Sequence, residues 1–241
     1  MGVTIAVVMA MRAEAAPVIA GLGAHEVSSP AALPHRWYVA DDVGGARVVI
    51  AVNGVDARHG VDLIGTEPAV MNTTAVCAAF SPDVVVSAGT AGGWMHANAE
   101  VGDVYVSWPH VVRHDRRIDL DGLREYGIGR HEVWDGAADL AAHLGARLGV
   151  VTTSNALDES DIDRDWILDL RGEVKEMEAA AVAWVCEVHG VPFVAVKTIT
   201  DLVDHPAPTA EQFSANLSAA STRLADVVPA SVRYLADRLG S

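Results

Sequence analysis

Apolar residues fall along this chain in two rhythms, short solid runs and longer spaced stripes. Val3 to Val8 is a solid run and predicts a first buried strand. Met9 to Glu14 then turns into a helix continuing towards Leu22. Pro17 is tolerated best near a helix start, so an irregular first turn is expected. Trp37 to Asp41 and Arg47 to Val52 flank Gly44-Gly45, a hairpin signal. From about Arg58 to Phe80 the pattern is helical, with a break or kink expected at Pro68. Ser81-Pro82-Asp83 reads as a turn, and Val84 to Ala88 as a short buried strand that runs straight into Gly89-Thr90-Ala91-Gly92-Gly93. Val104 to Ser107 predicts another strand, and His110 to Arg130 is polar and reads as loop-rich. Ala137 to Leu144 predicts a helix, and Leu148 to Thr153 a strand. Asp158 to Asp165 is an acidic run leading into a helical segment. Thr209 opens a C-terminal helix whose periodicity Pro229 is expected to interrupt.

The stretch from Val174 to Asp201 organises the rest. Val174 to Met177 is short and extended, and Ala179 to Val188 is rich in alanine, a strong helix former. Gly190 suits the position past a helix end, Pro192 prevents continuation, and Phe193 to Ile199 has the length of a buried strand. Strand, helix and strand together predict a βαβ crossover with parallel strands. Ligands of open parallel sheets bind at the carboxyl ends of strands. Glu176 and Glu178 stand at the first such end, and Thr200 and Asp201 at the second. Strands alternating with helices, plus one early hairpin, predict an α/β fold: a three-layer α/β/α sandwich with a mixed central sheet.

Composition narrows the function classes. The 241 residues show no linker or compositional break, so a single domain over 1–241 is expected. A net charge of −15 argues against binding nucleic acid or an anionic membrane. No segment has the length and hydrophobicity of a membrane span. Val3 to Met11 lacks the flanks of a signal peptide. Cys77 and Cys186 have no metal-ligand spacing and read as reduced thiols of a cytoplasmic protein. The histidines show no metal-ligand spacing either, and neither metal nor cofactor is expected.

Each candidate motif also has an ordinary reading. An acid in a helix's first turn favours the macrodipole, and an Asp after a strand often caps a turn. Three carboxylates at strand ends, Glu176, Glu178 and Asp201, favour a polar site instead. Glu14 follows the first strand and faces the same edge. Gly89 to Gly93 lets a ligand approach the backbone closely, though its spacing is not the dinucleotide fingerprint. Asp161 to Asp165 begins like a calcium loop but has Trp166 where glycine is needed, so it reads as a solvated helix start. His114-Asp115-Arg116-Arg117 reads as an ion-paired surface.

Taken in combination, VMAMRAEAAPVI, SPDVVVSAGTAGG, HDRRI, VKEMEAAAVA and VKTITDLVDHPAPTAEQF resemble the 5′-methylthioadenosine/S-adenosylhomocysteine nucleosidases of the nucleoside phosphorylase superfamily, the plant-type enzymes most of all. The resemblance implies a nucleoside phosphorylase-like fold, a small-molecule nucleoside substrate and a homodimer. It implies hydrolysis of an N-glycosidic bond, with Asp201 as the acid to the purine, Glu14 activating water and Glu178 holding the ribose hydroxyls. Thr90 and Gly92 would lie beside the ribose, Met177 would pack on the sugar, and Met11 and Val55 would line the alkylthio end. Leu157 takes the position of an aromatic residue that packs on the base, and Asp158 would supply the neighbouring backbone to the adenine edge, while Lys175, Glu176 and Lys197 complete the substrate site. The likeness favours methylthioadenosine over S-adenosylhomocysteine. Departures from the family pattern are Ser154-Asn155, where Gly-Asp is usual, and Lys197, where bacterial members carry Arg. Alternatives are a phosphorylase of the same fold, a hydrolase of a futalosine-type nucleoside, and a non-catalytic binding relative. Water is favoured over phosphate as nucleophile because Ser87-Ala88 stands where phosphorylases place Arg, and Glu14 would repel an anion.

Overall fold

The computed structural model describes residues 2–30 and 32–240. In chain order the elements are β1 (Thr4–Met9), α1 (Arg12–Leu22), β2 (His25–Val27), β3 (Arg36–Val43), β4 (Ala46–Val52), α2 (Thr66–Phe80), β5 (Val84–Gly93), β6 (Val104–Arg113), α3 (Leu123–Ile128), β7 (His131–Glu132), α4 (Ala137–Leu144), β8 (Arg147–Thr153), α5 (Asp161–Asp169), β9 (Gly172–Glu176), α6 (Ala179–His189), β10 (Phe193–Leu202) and α7 (Thr209–Gly240). One mixed sheet runs in the order β10-β6-β8-β9-β5-β1-β4-β3-β2, with β7 beside β6. β10 also pairs with β5, so five strands close into a ring from which β1, β4, β3 and β2 extend. The central strands are β-branched and buried on both faces, as a sheet covered by helices requires. α1 packs on α7, α2 packs on α6, and both pairs cover the sheet, giving the expected α/β/α sandwich.

Closure of the sheet overturns one sequence expectation. β9 and β10 are neither neighbours nor parallel, because β5 lies between them, parallel to β10 and antiparallel to β9. β9 instead pairs in parallel with β8. β5 does not end at Ala88, as expected, but continues through the Gly-rich run to Gly93. Residues 110–113, expected as loop, extend β6 past a register shift at the cis Trp108–Pro109 bond, and residues 123–128 form α3.

Prolines mislead the pattern in three places. α2 starts at Thr66, not near Arg58, so Pro68 lies in its first turn, where a missing N–H leaves nothing unpaired. α1 runs unbroken through Pro17, and α7 through Pro229, as the two helices pack on one another. The acidic run does open a helix: Ser160 caps α5 in a reciprocal capping box with Asp163, whose carboxylate also pairs with Arg117 at 2.5 Å.

Candidate active site

The carboxyl ends of β1, β5 and β10, joined by the end of β9, surround a cavity of about 480 Å³. Its wall includes Glu14, Glu176, Glu178 and Asp201, the four acids singled out from sequence.

Glu14 sits in the first turn of α1, which starts directly after β1. Its side chain is buried, and its Oε1 accepts from both the backbone N–H and the hydroxyl of Thr90, at 2.7 and 2.6 Å. Oε2 is the remaining oxygen and lies toward Gly89, 3.2 Å from where a Cβ would stand there. Burial pushes the Glu14 carboxyl above its ordinary value, while the Thr90 bonds and the charge of Lys197 pull against that rise.

Asp201 is placed by an irregularity. β10 is in register with β5 up to Ile199, slips there, and resumes with Asp201 opposite Gly92. A Cβ at Gly92 would lie 2.7 Å from Asp201 Oδ2, so only glycine admits the carboxyl here. The Thr200 hydroxyl donates to Asp201 Oδ1 at 2.7 Å. Burial raises the Asp201 pKa, Thr200 and Lys175 oppose the rise, and the charge of Glu159 adds to it.

Glu178 closes the third side, where β9 passes into α6. Its Oε1 accepts from Gly65 N–H at 2.7 Å, just before α2. Burial, and then the charge of Glu176, push its pKa up to about 7. Glu176 is differently occupied. It forms a 2.9 Å ion pair with Lys197, accepts from the Thr153 hydroxyl, and receives the N–H groups of Glu178 and Ala179 at the start of α6. Burial alone would raise the Glu176 pKa, yet Lys197 and these donors hold it below the ordinary value. Burial likewise opposes the charge of Lys197, and the three surrounding glutamates raise its pKa regardless. Lys197 also donates to Ser87 Oγ at 3.2 Å. Glu176 and Lys197 therefore line the cavity while engaging one another.

Lys175 is buried and donates to the carbonyls of Ala156 and Leu157, at 2.7 and 2.6 Å, fixing the loop after β8. Met11, Thr90, Gly92, Leu157, Lys175 and Met177 all reach the cavity wall, as expected from sequence. Val55 and Asp158 are not on the wall: Val55 is held in a bridge to Asp62, and Asp158 follows Leu157 on the loop without lining the cavity. Val61 and Ile64 take the place expected of Val55.

Sequence reasoning missed Asp62 and Glu159, and marked Asn155 only as a departure from the family pattern, without its partner. Asn155 Oδ1 accepts from Thr66 N–H at 2.8 Å, and its Nδ2 donates to the Thr66 hydroxyl at 2.8 Å. It thus ties the loop after β8 to the start of α2, beside the Gly65 that holds Glu178. Reading residues 58–65 as helix hid this loop, although Gly60 and Gly65 punctuate it.

Residues 4–233 match the phosphorylase superfamily. The 5′-methylthioadenosine nucleosidase of Arabidopsis thaliana is 35% identical over 96% of this chain and 86% of its own length. The 5′-methylthioadenosine/S-adenosylhomocysteine nucleosidase of the same plant is 36% identical over 92% of this chain and 87% of its own. The solved structure of the Arabidopsis 5′-methylthioadenosine nucleosidase in apo form superposes with a TM-score of 0.92 at 33% identity, covering 97% of this chain and 96% of that one.

Proposed function

Because this chain belongs to the phosphorylase superfamily and, within it, to the methylthioadenosine/S-adenosylhomocysteine nucleosidases, we propose the following division of labour in its N-glycosidic hydrolysis. The substrate is 5′-methylthioadenosine, with S-adenosylhomocysteine as the bulkier second substrate, and the products are adenine and the 5-thioribose. The observation that carries the reading is the gathering of Glu14, Glu178 and Asp201 on the wall of one nucleoside-sized cavity.

The bond from C1′ to the purine breaks with its electron pair leaving on the ring. Asp201 gives a proton to N7, because neutral adenine leaves far more readily than its anion. A carboxyl can donate near neutral pH only if its pKa is raised, and burial raises that of Asp201. The sugar passes through an oxocarbenium-like state, which surrounding carboxylates stabilise. Glu14 takes a proton from the attacking water through Oε2, the oxygen left over by Thr90. The water oxygen bonds to C1′. Glu178 accepts from the ribose hydroxyls, Met177 packs on the sugar, and Leu157 with the backbone fixed by Lys175 faces the base. Glu176 and Lys197 hold α6 and its Glu178 in place.

Water is the nucleophile in this reading rather than phosphate. Lys197, the buried cation nearest Glu14, is committed to Glu176, so an incoming phosphate would meet a carboxylate. Adenine release from methylthioadenosine in phosphate-free buffer tests this. Full turnover without phosphate is expected, with label from ¹⁸O water appearing on C1 of the thioribose. A rate that depends on added phosphate would refute it.

We read 1–241 as one nucleosidase domain, acting as a homodimer in the cytoplasm. Exposed apolar side chains on α2 and α6, among them Met71, Trp184 and Val188, support a covered face. Two free buried thiols support a reducing compartment, and the charge of −15 argues against nucleic acid. Among the described residues no helix is long and apolar enough to cross a membrane. Sedimentation analysis is expected to give twice the chain mass, and a monomer at micromolar concentration would contradict it.

A further inference from the structure

The cavity wall carries three cations, and they differ in kind. Lys175 and Lys197 are buried and spent on backbone carbonyls and on Glu176. Arg12 is at the rim, with its side chain 56% exposed. Its Nε donates to Asp62 Oδ1 at 2.7 Å, and its backbone N–H reaches the same oxygen at 3.3 Å. Among the described residues neither Nη of Arg12 has a partner, and Asp62 Oδ2 accepts nothing. A guanidinium and a carboxylate thus stand side by side at the mouth, each with one face open. Next to them on the wall are Met11, Val61 and Ile64, which are apolar.

We propose that Arg12 and Asp62 form a receptor for a zwitterionic α-amino acid carried on the 5′ sulfur, Arg12 taking the carboxylate and Asp62 the ammonium. The inference rests on the nucleosidase reading above and concerns the open end of that same cavity. The methylthio group is uncharged and short, and the apolar wall suffices for it. A homocysteinyl group extends further and ends in two opposite charges. Those charges lose hydration on entering the mouth and must be met by partners. The chain as a whole repels a carboxylate, so a local cation is needed, and Arg12 is the one with free donors. The two residues sit on different segments, α1 and the 54–65 loop. Their bond to one another spaces the two charges before any substrate arrives, which lowers the entropy lost on binding.

The test compares kcat/KM for S-adenosylhomocysteine and methylthioadenosine in the wild-type protein, Arg12→Met and Asp62→Asn. It adds the decarboxylated analogue, a 5′-(3-aminopropylthio) adenosine, as a third substrate. Arg12→Met is expected to shift the ratio about tenfold against S-adenosylhomocysteine, through KM rather than kcat. For the decarboxylated analogue relative to methylthioadenosine, Arg12→Met should not produce this loss, and Asp62→Asn should. In the wild type, salt should raise KM for the homocysteinyl compound more than for methylthioadenosine. A ratio unchanged within twofold, a ratio moved in favour of S-adenosylhomocysteine, or a wild-type protein that cleaves only methylthioadenosine would each overturn the receptor and leave the nucleosidase reading intact. Failure to release adenine from either substrate would instead refute the nucleosidase reading, and the receptor with it.

Discussion

At the scale of single residues, the site sets three acids to different tasks by giving them different surroundings. Glu14, Glu178 and Asp201 all have raised pKa values, each because burial disfavours its charged form. The rate profile follows from this. kcat/KM should rise with pH as Glu14 loses its proton, with that limb lying above the ordinary carboxylate range, and fall again as Asp201 loses its own. The limbs belong to the coupled set, and Asp201→Asn should remove the alkaline one. Stability should run the other way. A carboxyl with a raised folded pKa binds its proton more tightly in the folded state. Its contribution is complete below the unfolded value and is lost as pH rises through the folded one, which for Glu178 is about 7. Glu178→Gln keeps an acceptor for Gly65 and removes the charge. It should therefore raise Tm by about 2–4 °C at pH 8 and change it little at pH 5. A Tm that falls equally at both pH values would contradict the assignment.

At the scale of elements, short irregularities aim the side chains. The slip in β10 between Ile199 and Asp201 turns the acid toward Gly92. Gly92→Ala would drive a methyl group to 2.7 Å from both Asp201 Oδ2 and Val203 Cγ2. Its kcat should fall by about 10²-fold, because small misplacements of a reacting group are that costly; adenine-release kinetics would check it. Asn155→Ala should lower Tm by about 2–4 °C, as expected for a lost helix-start contact. It should also raise KM by loosening Gly65 against Glu178. The sequence pattern carried β1, β4, β10 and α6 well, since runs of valine and alanine state their own periods. It failed where the tertiary setting decides. The strand is expected to stop at Ala88, because glycines weaken a strand pattern. Here the missing side chains make room for Glu14 and Asp201 against a continuous strand. Pro68 and Pro229 look like breaks and Pro17 like an irregular first turn, yet Pro68 lies in the first turn of α2 and the other two lie within helices whose packing keeps them whole. The four acids were legible because strand ends mark them, whereas Met11, Thr90, Gly92, Leu157, Lys175, Met177 and Lys197 were reached as site residues through the family resemblance. The contacts of Asp62 and Asn155 were not legible, since their partners are 50 and 89 residues away in the chain.

At the scale of the whole molecule, the closed part of the sheet gathers strand ends that an open sheet would spread out. β5 and β10 bring Thr90 and Asp201 together, β1 delivers α1 with Glu14, and β9 enters from the far side with Glu176 and α6. The Glu176–Lys197 pair lies where these strands meet. Lys197→Met should destabilise the protein by roughly 3–5 kcal/mol near neutral pH, by leaving Glu176 buried and unpaired. The deficit should shrink as acid protonates Glu176, whose pKa the lysine holds down. Denaturant midpoints at two pH values would check both statements, and equal deficits at both would contradict them. In this site one buried acid protonates the departing purine while another readies water. The most direct measurement sets Asp201→Asn against two leaving groups, adenine and 4-nitrophenolate, on the same 5-methylthioribosyl sugar. The nitrophenolate needs no proton to leave. Turnover of methylthioadenosine should fall by on the order of 10²-fold or more while nitrophenyl cleavage falls less than about threefold. Equal losses on both substrates, or no loss on either, would contradict the assignment of Asp201 as the acid.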